Sequence, residues 1–483
     1  MKIEKLANLF DVKSDIEIHS ISYDSRTPNE NGIFFCIKGL TTDGHAYVDQ
    51  AIANGAKVIV HIDDLEKKPG ITYIQVPDSL FELNRICNIL YDYPCSKLVV
   101  YAVTGTNGKT TTSYIIENIL SHFEKTSYMG TIGVKINGNM SQTHHMTTPD
   151  AITFCKTLEN IIDSGCNSVA MEVSSHALEQ HRVDTLSVDA AIFTNLTHEH
   201  LDFHKTMDAY MSAKRKLFSF VKKEGCAILN IDDKYYDEML RGCSCKVYTY
   251  GKNPNADFFI HDIVLSPDKT YFKLKYLGKV YDIKTNLVSE INTYNLTAAI
   301  AALIHNGFEM NNIIPLLNNF DVGIGRFQTI NSSKLNIIVD FAHTPDGFIK
   351  VFEFAKAITP KNNKIVSVFG SAGRRDITKR PILGKIADEY CDKIIICEDD
   401  YRDEDPYFIA NQILGGIKNK DKASIIIDRY DAIKEAILNS EKGDTILLLS
   451  KGLDQYIPKN GKDEFWMGDH IACEKILKEY HID

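Results

Sequence analysis

The sequence lacks an apolar run long enough to cross a membrane, and it lacks an excess of basic charge. No stretch approaches the ~18 apolar residues that a membrane-spanning helix needs, so we expect no membrane association. Lysine and arginine total 54 against 64 acidic residues, which gives a net charge of −10. Nucleic-acid binding requires a basic surface, and this balance argues against that class while leaving room for a local phosphate pocket.

Paired cysteines with metal-ligand spacing are also missing. Among the eleven cysteines, Cys243 and Cys245 form the closest pair, and no second pair follows. An odd count in a chain of 483 residues favours free thiols in a reducing compartment over a disulfide framework. The first residues carry an early acid, Glu4, and no long apolar core, which argues against a signal peptide. We therefore expect a cytoplasmic protein.

The length exceeds what one hydrophobic core can organise, and three domains are the natural expectation. In the first third, apolar runs at 33–37 and 58–60 predict strands, and residues 47–55 predict a helix. Polar clusters at 24–26 and 39–45 follow strands, where ligands bind in α/β folds. From the residues alone, two solvated turns with a salt bridge explain these clusters better.

The most informative stretch lies at 98–112. A buried strand is followed by G-T-N-G-K-T-T and then by a predicted helix at 114–120. Such a loop directs backbone N–H groups and a helix N-terminus at an anion. The spacing is tighter than G-x-x-x-x-G-K-[ST], which would require glycine at Val103. A purely structural turn is the alternative, but the strand, Lys109 and Thr110 agree on nucleotide phosphate binding with magnesium.

Two further strands, at 168–172 and 190–193, end in acids and histidines. An acid such as Glu172 holds magnesium opposite the phosphate loop in nucleotide hydrolases and ligases. His198, His200 and His204 could suggest zinc, but no cysteine set accompanies them and a phosphate site favours Mg²⁺. His198 and His204 are better explained as orienting or capping groups, and Lys214 alone reads as a solvated lysine.

The last third predicts a second doubly wound α/β domain after a hinge at 323–327, with strands at 337–341, 364–370, 393–397 and 445–449. Arg375 follows a glycine-containing turn. An ordinary surface arginine is the alternative there to one that binds a carboxylate.

Taken in order, the motifs resemble those of the Mur ligases, and among them the MurE type, the UDP-N-acetylmuramoyl-L-alanyl-D-glutamate amino-acid ligases. They are G-T-N-G-K-T-T at 105–111, T-T-P at 147–149, M-E-V-S-S-H-A-L at 171–178, Q-H-R-V at 180–183, F-T-N-L-T-H-E-H-L-D-F-H at 193–204 and Y-M-S-A-K at 210–214. The resemblance implies three α/β domains. They are a small UDP-substrate-binding domain (1–96), a central P-loop ATPase-like domain with a parallel sheet (97–324) and a C-terminal Rossmann-like, amino-acid-binding domain (325–483).

The resemblance also implies a role for each matching residue. The catalytic residues are Lys109, Lys214, Glu172 and His200, and the metal ligands are Thr110, Glu172, His200 and a carbamylated Lys214. The ATP-binding residues are Gly105, Thr106, Asn107, Gly108, Lys109, Thr110, Thr111, Asn292, Asn295, Arg326, Asp340 and His343. The UDP-substrate residues are Ser25, Arg26, Thr42, His45, Thr147, Thr148, Ser174, Gln180 and Arg182. The amino-acid-binding residues are Arg375, Asp400, Arg402, Ser450 and Asp454.

The implied activity is ATP-dependent addition of an amino acid to UDP-N-acetylmuramoyl-L-Ala-D-Glu through an acyl phosphate, in peptidoglycan biosynthesis and thus in cell shape and division. It implies two Mg²⁺ ions, a UDP-linked muramoyl dipeptide, a free amino acid and a monomer. A related ligase with a pseudomurein-type or specialised carboxylate is an alternative. A folyl-polyglutamate type lacks the 24–26 domain, and Lys109, Glu172, His200 and Lys214 argue against a non-catalytic P-loop binder.

Two segments depart from the family pattern. The usual D-N-P-R or D-N-P-A is D-D-Y-R at 399–402, and the usual G-K-G-H-E is S-K-G-L-D at 450–454. Arg402 suggests an acceptor with a distal carboxylate, whereas Asp400 and Asp454 also suit a distal amine. Diaminopimelate, lysine and other amino acids therefore stay open.

Overall fold

The computed structural model describes residues 18, 20–27, 29–39, 42–141, 146–320 and 325–482, apart from the side chain of Asp202. Leu40 and Thr41 of the polar loop at 39–45, and Gly323 and Ile324 of the predicted hinge, lie outside this set. The described residues form three α/β units along the chain, each with its own predominantly parallel sheet. This agrees with the predicted fold class.

The first unit contains a four-stranded parallel sheet in the order β1-β2-β3-β4. Its middle strands β2 and β3 are almost wholly buried, which explains their continuous apolar runs. The strands are Ile21–Ser22 (β1), Gly32–Phe35 (β2), Ala56–His61 (β3) and Thr72–Gln75 (β4). The helices are α1 (Val48–Ala53) and α2 (Ser79–Leu90), with short 3₁₀ turns at Gly44–Tyr47 and Pro94–Lys97.

The central unit contains an eleven-stranded sheet in the order β15-β14-β13-β12-β11-β10-β5-β9-β6-β7-β8. Strands β13 to β15 form an antiparallel extension, and residues 271–276 alternate between more exposed and more buried positions along β14, as period-two strands do. The strands are Val99–Thr104 (β5), Thr126–Gly130 (β6), Gly133–Ile136 (β7), Asn139–Ser141 (β8), Ser168–Glu172 (β9), Val188–Phe193 (β10), Val221–Asn230 (β11), Lys246–Gly251 (β12), Phe258–Leu265 (β13), Thr270–Tyr276 (β14) and Lys279–Thr285 (β15).

Helices cover both faces of this sheet. Helix α7 ends at Arg215, and a 3₁₀ turn, Lys216–Phe220, continues the chain. The helices are α3 (Lys109–Leu120), α4 (Ala151–Asp163), α5 (Ser175–Glu179), α6 (Leu201–His204), α7 (Met207–Arg215), α8 (Tyr236–Leu240), α9 (Glu290–His305) and α10 (Met310–Ile313), followed by a 3₁₀ turn at Ile314–Asn318.

The third unit contains a six-stranded sheet in the order β16-β17-β21-β18-β19-β20, parallel except for β16, and a small hairpin, β22-β23. The strands are Gln328–Ile330 (β16), Asn336–Asp340 (β17), Ile365–Phe369 (β18), Lys393–Ile396 (β19), Ala423–Ile425 (β20), Thr445–Leu449 (β21), Tyr456–Lys459 (β22) and Lys462–Phe465 (β23). The helices are α11 (Pro345–Ile358), α12 (Lys379–Tyr390), α13 (Pro406–Leu414), α14 (Arg429–Leu438) and α15 (Asp469–Glu479), with a 3₁₀ turn at Lys420–Lys422.

A buried ion pair ties this third unit together. The Arg429 guanidinium donates to both carboxylate oxygens of Asp469, at 2.7 and 2.6 Å, and to the Leu449 carbonyl at 2.9 Å. Neither side chain of the pair is exposed to solvent. The pair links α14, α15 and the end of β21, and it therefore supports the sheet edge that carries the loop at 450–454. In the part of the chain that the structure describes, every helix is too short or too polar to cross a membrane.

Candidate active site

The carboxyl ends of three neighbouring strands meet at the centre of the large sheet. Strand β5 pairs in parallel with β9 on one side and with β10 on the other. Val103 aligns with Glu172, and Thr104 aligns with Phe193, so the three chain segments leave the sheet at one level. Ligands bind at such strand ends in α/β sheets. The predicted phosphate loop, the Glu172 segment and the segment at 194–204 are thereby brought together.

The loop at 105–108 is held in shape by the segment that follows β10. Asn107 donates its backbone N–H to Asn195 Oδ1 at 2.9 Å, and Thr194 Oγ1 donates to the Asn107 carbonyl at 2.6 Å. Gly105 and Gly108 have φ values of +148° and +88°. A Cβ on Gly105 would lie 1.8 Å from Thr194 Oγ1, so the tight loop requires glycine there. Helix α3 begins immediately afterwards, with its N-terminus at the loop.

Lys109 lies over this loop. Its Nζ donates to the Gly105 and Thr106 carbonyls at 3.0 and 2.9 Å. Burial lowers its pKa, while Glu172 and Glu199 favour the charged form. The Lys109 ammonium group thus lies at the N-terminus of α3, where the first backbone N–H groups have no partner within the helix, as a polyphosphate site requires.

Glu172, at the end of β9, is fully enclosed and heavily hydrogen-bonded. Its Oε2 accepts from Thr110 Oγ1 at 2.9 Å, and its Oε1 accepts from the Tyr128 hydroxyl at 2.5 Å and the Thr131 N–H at 2.8 Å. Tyr128 and Thr131 have no role in the sequence prediction, because their only signal is an ordinary strand and turn. They fix the carboxylate beside Thr110, which brings two hard oxygen donors together.

Lys214 is not the solvated lysine that its sequence context alone suggests. Its side chain is buried, its Nζ donates to the Gly105 carbonyl at 2.6 Å, and it lies 4.6 Å from the centre of the Tyr210 ring. Burial and the nearby Lys109 charge hold its pKa well below the usual range. The amine is therefore biased towards the neutral, nucleophilic form.

His200 and Glu199 lie at the junction between the second and third units. Burial lowers the pKa of His200 to about 4, so its imidazole is neutral and able to act as a ligand. Although burial opposes ionisation of Glu199, His343, His200 and Lys109 hold its pKa well below the usual range. Glu199 Oε1 lies 3.4 Å from His343 Nε2 in the third unit. The sequence prediction assigned Glu199 no role, although it lies inside the T-H-E-H motif.

Of the other two histidines of this motif, His198 lines the larger of two cavities described below, whereas His204 makes an internal contact. His204 Nε2 is hydrogen-bonded to Ser175 Oγ at 2.9 Å, which is the orienting role expected of it. Among the described residues, Asp43, His45 and Asp63 of the first unit have ligand atoms within 4.8 Å of one another, close enough to hold a metal ion. This group does not include the histidines at 198–204. There His45 Nε2 accepts from the Ile62 N–H at 3.2 Å, so that ring nitrogen is already engaged.

A smaller cavity of about 250 Å³ lies between the second and third units. Of the twelve predicted ATP-binding residues, all but Gly105 line it. Arg326 lies 4.6 Å from the centre of the Phe341 ring, and Asp340 accepts from the Phe327 and Ala342 N–H groups at 2.7 Å each. Asn107 Nδ2 donates to Asp346 Oδ2 at 3.0 Å, which links the loop directly to the third unit.

The asparagines of α9 also contribute to this smaller cavity. Asn295 Nδ2 donates to Asn292 Oδ1 at 2.9 Å, and Thr112 Oγ1 donates to Asn295 Oδ1 at 3.3 Å. A Cβ on Gly108 would lie 2.5 Å from Asn295 Oδ1, which shows how closely α9 approaches the loop. Both asparagines therefore lie inside the helix and against the loop, and not at a helix cap.

A larger cavity of about 550 Å³ adjoins the smaller one. Glu199, His200, Phe341 and His343 line both. All five predicted amino-acid-binding residues line the larger cavity: Arg375, Asp400, Arg402, Ser450 and Asp454. The predicted ATP-binding and amino-acid-binding residues thus lie at two adjoining cavities that share four lining residues.

Lys451 is a buried cation beneath this larger cavity. It forms a short ion pair with Asp400 and lies 3.7 Å from Asp454. Burial raises the pKa of Asp400 and of Asp454, whereas Lys451 favours their ionised forms. Although burial opposes its charge, the Asp399, Asp400 and Asp454 carboxylates raise the pKa of Lys451. One lysine therefore orients two of the acids that replace family residues.

Of the nine predicted UDP-substrate residues, Thr147 lines the smaller cavity and the other eight line neither cavity. Several of them are engaged within their own units. Ser25 Oγ donates to Gln50 Oε1 at 2.9 Å, whereas Arg26 pairs with Asp24 at 2.7 Å and is 81% exposed. His45 Nδ1 lies 2.6 Å from Asp43 Oδ1, and Thr42 is exposed.

On the central unit, Thr148 Oγ1 donates to the Glu172 carbonyl at 3.0 Å, and Ser174 caps α5 through the Ala177 N–H. Arg182 donates to the Thr148 carbonyl at 3.0 Å and to Gln180 Oε1 at 2.5 Å, and Thr147 accepts from Thr131 Oγ1 at 3.0 Å.

The first unit contacts the central unit close to Arg182. Asn84 Nδ2 in α2 donates to the Arg182 carbonyl at 2.7 Å. Burial and the Asp150 charge raise the pKa of Tyr23, while Arg182 opposes this effect. Tyr23 was not predicted, because a single exposed tyrosine in a loop carries no sequence signal. It lies on the face that joins the two groups of predicted substrate residues.

Comparison with known proteins finds related sequences for all three units. Three family models match: "Mur ligase family, catalytic domain" over residues 17–86, "Mur ligase middle domain" over 103–303 and "Mur ligase, glutamate ligase domain" over 325–452. The UDP-N-acetylmuramoyl-L-alanyl-D-glutamate–2,6-diaminopimelate ligase of Aquifex aeolicus is 38% identical, covering 91% of this chain and 89% of its own. A ligase of the same name from Clostridium acetobutylicum is 36% identical, covering 94% and 95%.

Solved structures give the same result for the fold. A structure named as such a diaminopimelate ligase has a TM-score of 0.71 at 29% identity and covers 98% of this chain and 99% of its own. The MurF ligase of Thermotoga maritima in complex with ADP has a TM-score of 0.65 at 19% identity, covering 97% and 99%, which supports the fold alone.

Proposed function

The chain belongs to the Mur ligase family of ATP-dependent ligases, and we propose that it is of the MurE type. In this proposal it joins an amino acid to the D-Glu carboxylate of UDP-N-acetylmuramoyl-L-Ala-D-Glu in peptidoglycan synthesis. The observation that carries the proposal is the pair of connected cavities, because one is lined by the predicted ATP residues and the other by the predicted amino-acid residues. Amide synthesis through an acyl phosphate requires ATP and the amino acid to act on the same carboxyl group, ATP at its oxygen and the amine at its carbon.

The smaller cavity binds ATP in this proposal. Backbone N–H groups at the start of α3 and the Lys109 ammonium receive the phosphates. The γ-phosphoryl group passes to the D-Glu carboxylate, which gives an acyl phosphate and ADP. Arg326 and His343 come from the third unit, so closure of that unit completes the site.

The residues around Glu172 fit a magnesium site. Thr110 Oγ1 and the Glu172 carboxylate are hard oxygen donors placed 2.9 Å apart, and the neutral His200 imidazole lies on the same cavity wall. Magnesium there offsets the negative charge that develops on the transferring phosphoryl group. Thr110, Glu172, His200 and Lys214 would hold two ions.

Lys214 fits that set only after chemical modification. As an amine it donates to the Gly105 carbonyl, and an ammonium group cannot bind a cation. Its depressed pKa leaves a neutral amine that can capture CO₂ and become a carbamate with two oxygen donors. Carbamylation of Lys214 is therefore part of the proposal.

The larger cavity binds the acceptor amino acid, and we propose diaminopimelate, the amino acid in the names of the relatives. Arg375 and Arg402 supply two guanidinium groups for two carboxylates. Asp400 and Asp454, oriented by Lys451, supply negative charge for the distal amine. The replacement of the family asparagine by Asp400 strengthens recognition of that amine.

The first unit and the facing part of the central unit bind the UDP-linked dipeptide in the same proposal. Ser25, Arg26, Thr42 and His45 lie on one side, and Thr147, Thr148, Ser174, Gln180 and Arg182 lie on the other. Functional domains of 1–96, 97–324 and 325–483 follow from this division. A cytoplasmic monomer is also part of the proposal.

One assay tests this proposal. The purified protein is incubated with ATP, Mg²⁺, UDP-N-acetylmuramoyl-L-Ala-D-Glu and either meso-diaminopimelate, L-lysine, L-ornithine or no acceptor. Phosphate release and product mass are measured together. We expect one amide product per phosphate and the highest kcat/KM with diaminopimelate. A lack of product with every acceptor would reject the substrate, and a preference for lysine would reject only the acceptor.

A further inference from the structure

Four basic residues lie between positions 374 and 380, and two of them are used for structure. Arg374 donates to both carboxylate oxygens of Asp403, at 2.8 and 2.9 Å. Arg380 is buried and pairs with Glu404 at 3.0 Å. These two arginines hold the turn after β18 against the loop at 403–405.

The other two basic residues, Arg375 and Lys379, line the larger cavity. Over the described ranges, neither has a carboxylate within 4.0 Å. Lys379 is the single lysine among the residues that line this cavity. Two cations are thus available to anionic groups that enter the cavity.

Lys379 lies beside the residues that the two cavities share. It is the first residue of α12, and its Nζ donates to the His343 carbonyl at 3.0 Å. His343 in turn faces Glu199, which lines both cavities. Although burial lowers the pKa of Lys379, the charges of Asp399 and Glu199 favour its protonated form. The ammonium group is therefore fixed at the side of the larger cavity that faces the phosphate loop.

One cation of the larger cavity, Lys379, has no anion assigned to it in the proposed function. The proposed acceptor has two carboxylates, for which Arg375 and Arg402 are available. The acyl phosphate brings a further dianionic group from the smaller cavity. Resting on the proposed function, we propose that Lys379 is a catalytic residue whose ammonium group binds the phosphate oxygens of the acyl phosphate while the amine attacks.

The step balances without another reagent. The acceptor nitrogen forms a bond to the acyl carbon, and the bond between that carbon and the bridging phosphate oxygen breaks. The electron pair leaves with phosphate, and the proton released by nitrogen is taken up by phosphate. Lys379 stabilises the negative charge that accumulates on the leaving group, an effect of about 10²- to 10³-fold for one well-placed donor.

The test separates the two half-reactions. Hydroxylamine replaces the acceptor to trap the acyl phosphate as a hydroxamate, and amide synthesis is measured separately with diaminopimelate. The variants are Lys379→Met and Lys379→Arg, with Lys385→Met, an exposed lysine on the same helix, as the matched control. The ATP KM is recorded for each, because loss of the His343 contact alone would raise it.

We expect Lys379→Met to trap hydroxamate within about threefold of the unchanged enzyme and to lose about 10²-fold in kcat for amide synthesis. Lys379→Arg should recover part of that loss, and Lys385→Met should match the unchanged enzyme. Normal amide synthesis by Lys379→Met, or parallel loss of both half-reactions with a raised ATP KM in both variants, would overturn this role. Absence of hydroxamate and amide in the unchanged enzyme would instead overturn the proposed function itself.

Discussion

The two cavities differ in how their residues are held. At the smaller cavity, Lys109 and Glu172 are held to the loop and to neighbouring groups by hydrogen bonds of 2.5–3.0 Å, and the buried Lys214 holds the loop from behind through the Gly105 carbonyl. In the larger cavity, Arg375 is exposed and Arg402 is partly exposed, while the acids are oriented by one lysine. The first arrangement suits a reaction that any ligase of this kind must perform, and the second suits a choice among acceptors.

Because of this difference, we expect amino-acid substitutions in the two cavities to affect different kinetic constants. Substitutions in the smaller cavity remove groups that act on the transferring phosphoryl group and should lower kcat. Substitutions in the larger cavity remove groups that bind the acceptor and should raise its KM or change its identity.

The largest effect is expected for Lys214→Ala. This change removes the buried amine that contacts the Gly105 carbonyl, and with it the proposed carbamate. We expect kcat to fall by about 10³-fold while ATP binding, measured by calorimetry, stays within threefold. Lys216→Ala, two residues along at the exposed pair with Glu179, serves as the control. Retention of a tenth of the activity by Lys214→Ala would show that the smaller cavity does not depend on this group.

Arg375→Met should show the opposite signature. Loss of a guanidinium bound to a carboxylate should raise the acceptor KM by about 10- to 100-fold and leave the ATP KM unchanged. The neighbouring Arg374→Met removes a surface pair with Asp403 and should leave the acceptor KM unchanged. Equal effects of the two substitutions on the acceptor KM would place Arg375 outside the binding site.

Asp400→Asn restores the family asparagine and sharpens the comparison further. It removes one carboxylate from the Lys451 ion pair and reduces the negative charge facing a distal amine. We expect the ratio of kcat/KM for diaminopimelate over L-lysine to rise by about tenfold. Asp403→Asn at the surface is the matched control, and an unchanged ratio in Asp400→Asn would remove this residue from acceptor selection.

The smallest effect is expected for Asp346→Ala. This carboxylate accepts the hydrogen bond from Asn107 that links the loop to the third unit. Loss of one such contact should raise the ATP KM by about three- to tenfold with little change in the acceptor KM. A larger effect on the acceptor than on ATP would assign Asp346 to the other cavity.

The phosphate loop could be predicted from the residues alone, whereas the residues of the larger cavity were predicted from the family resemblance. The pattern is local, because the glycine loop and its lysine are adjacent in the sequence and each strand-end acid directly follows an apolar run. Such a pattern can be recognised without knowledge of the fold. Glu199 and Tyr128 were missed because their roles arise from contacts between segments. The burial of Lys214 could not be predicted from the sequence either, because a lysine is compatible with either face of an amphipathic helix.

The sequence predicted that the loops at 399–402 and 450–454 line the acceptor site. It did not predict that the Lys451–Asp400 ion pair joins these two loops. Lys379 gave no signal, because a lysine at the start of a helix is ordinary in sequence. The fold class was predictable from alternating strands and helices, whereas the eleven-strand order of the central sheet was not. The contacts of Ser25, His45 and Thr148 within their own units were likewise beyond the sequence.

The central claim is that three strand ends form one centre that activates a carboxyl group by phosphorylation. It is tested most directly with UDP-N-acetylmuramoyl-L-Ala-D-Glu labelled with oxygen-18 in the D-Glu carboxylate. During amide synthesis with ATP, the released phosphate should carry one labelled oxygen, because the carboxylate oxygen bridges to phosphorus in the acyl phosphate. Amide product accompanied by unlabelled phosphate would contradict the account.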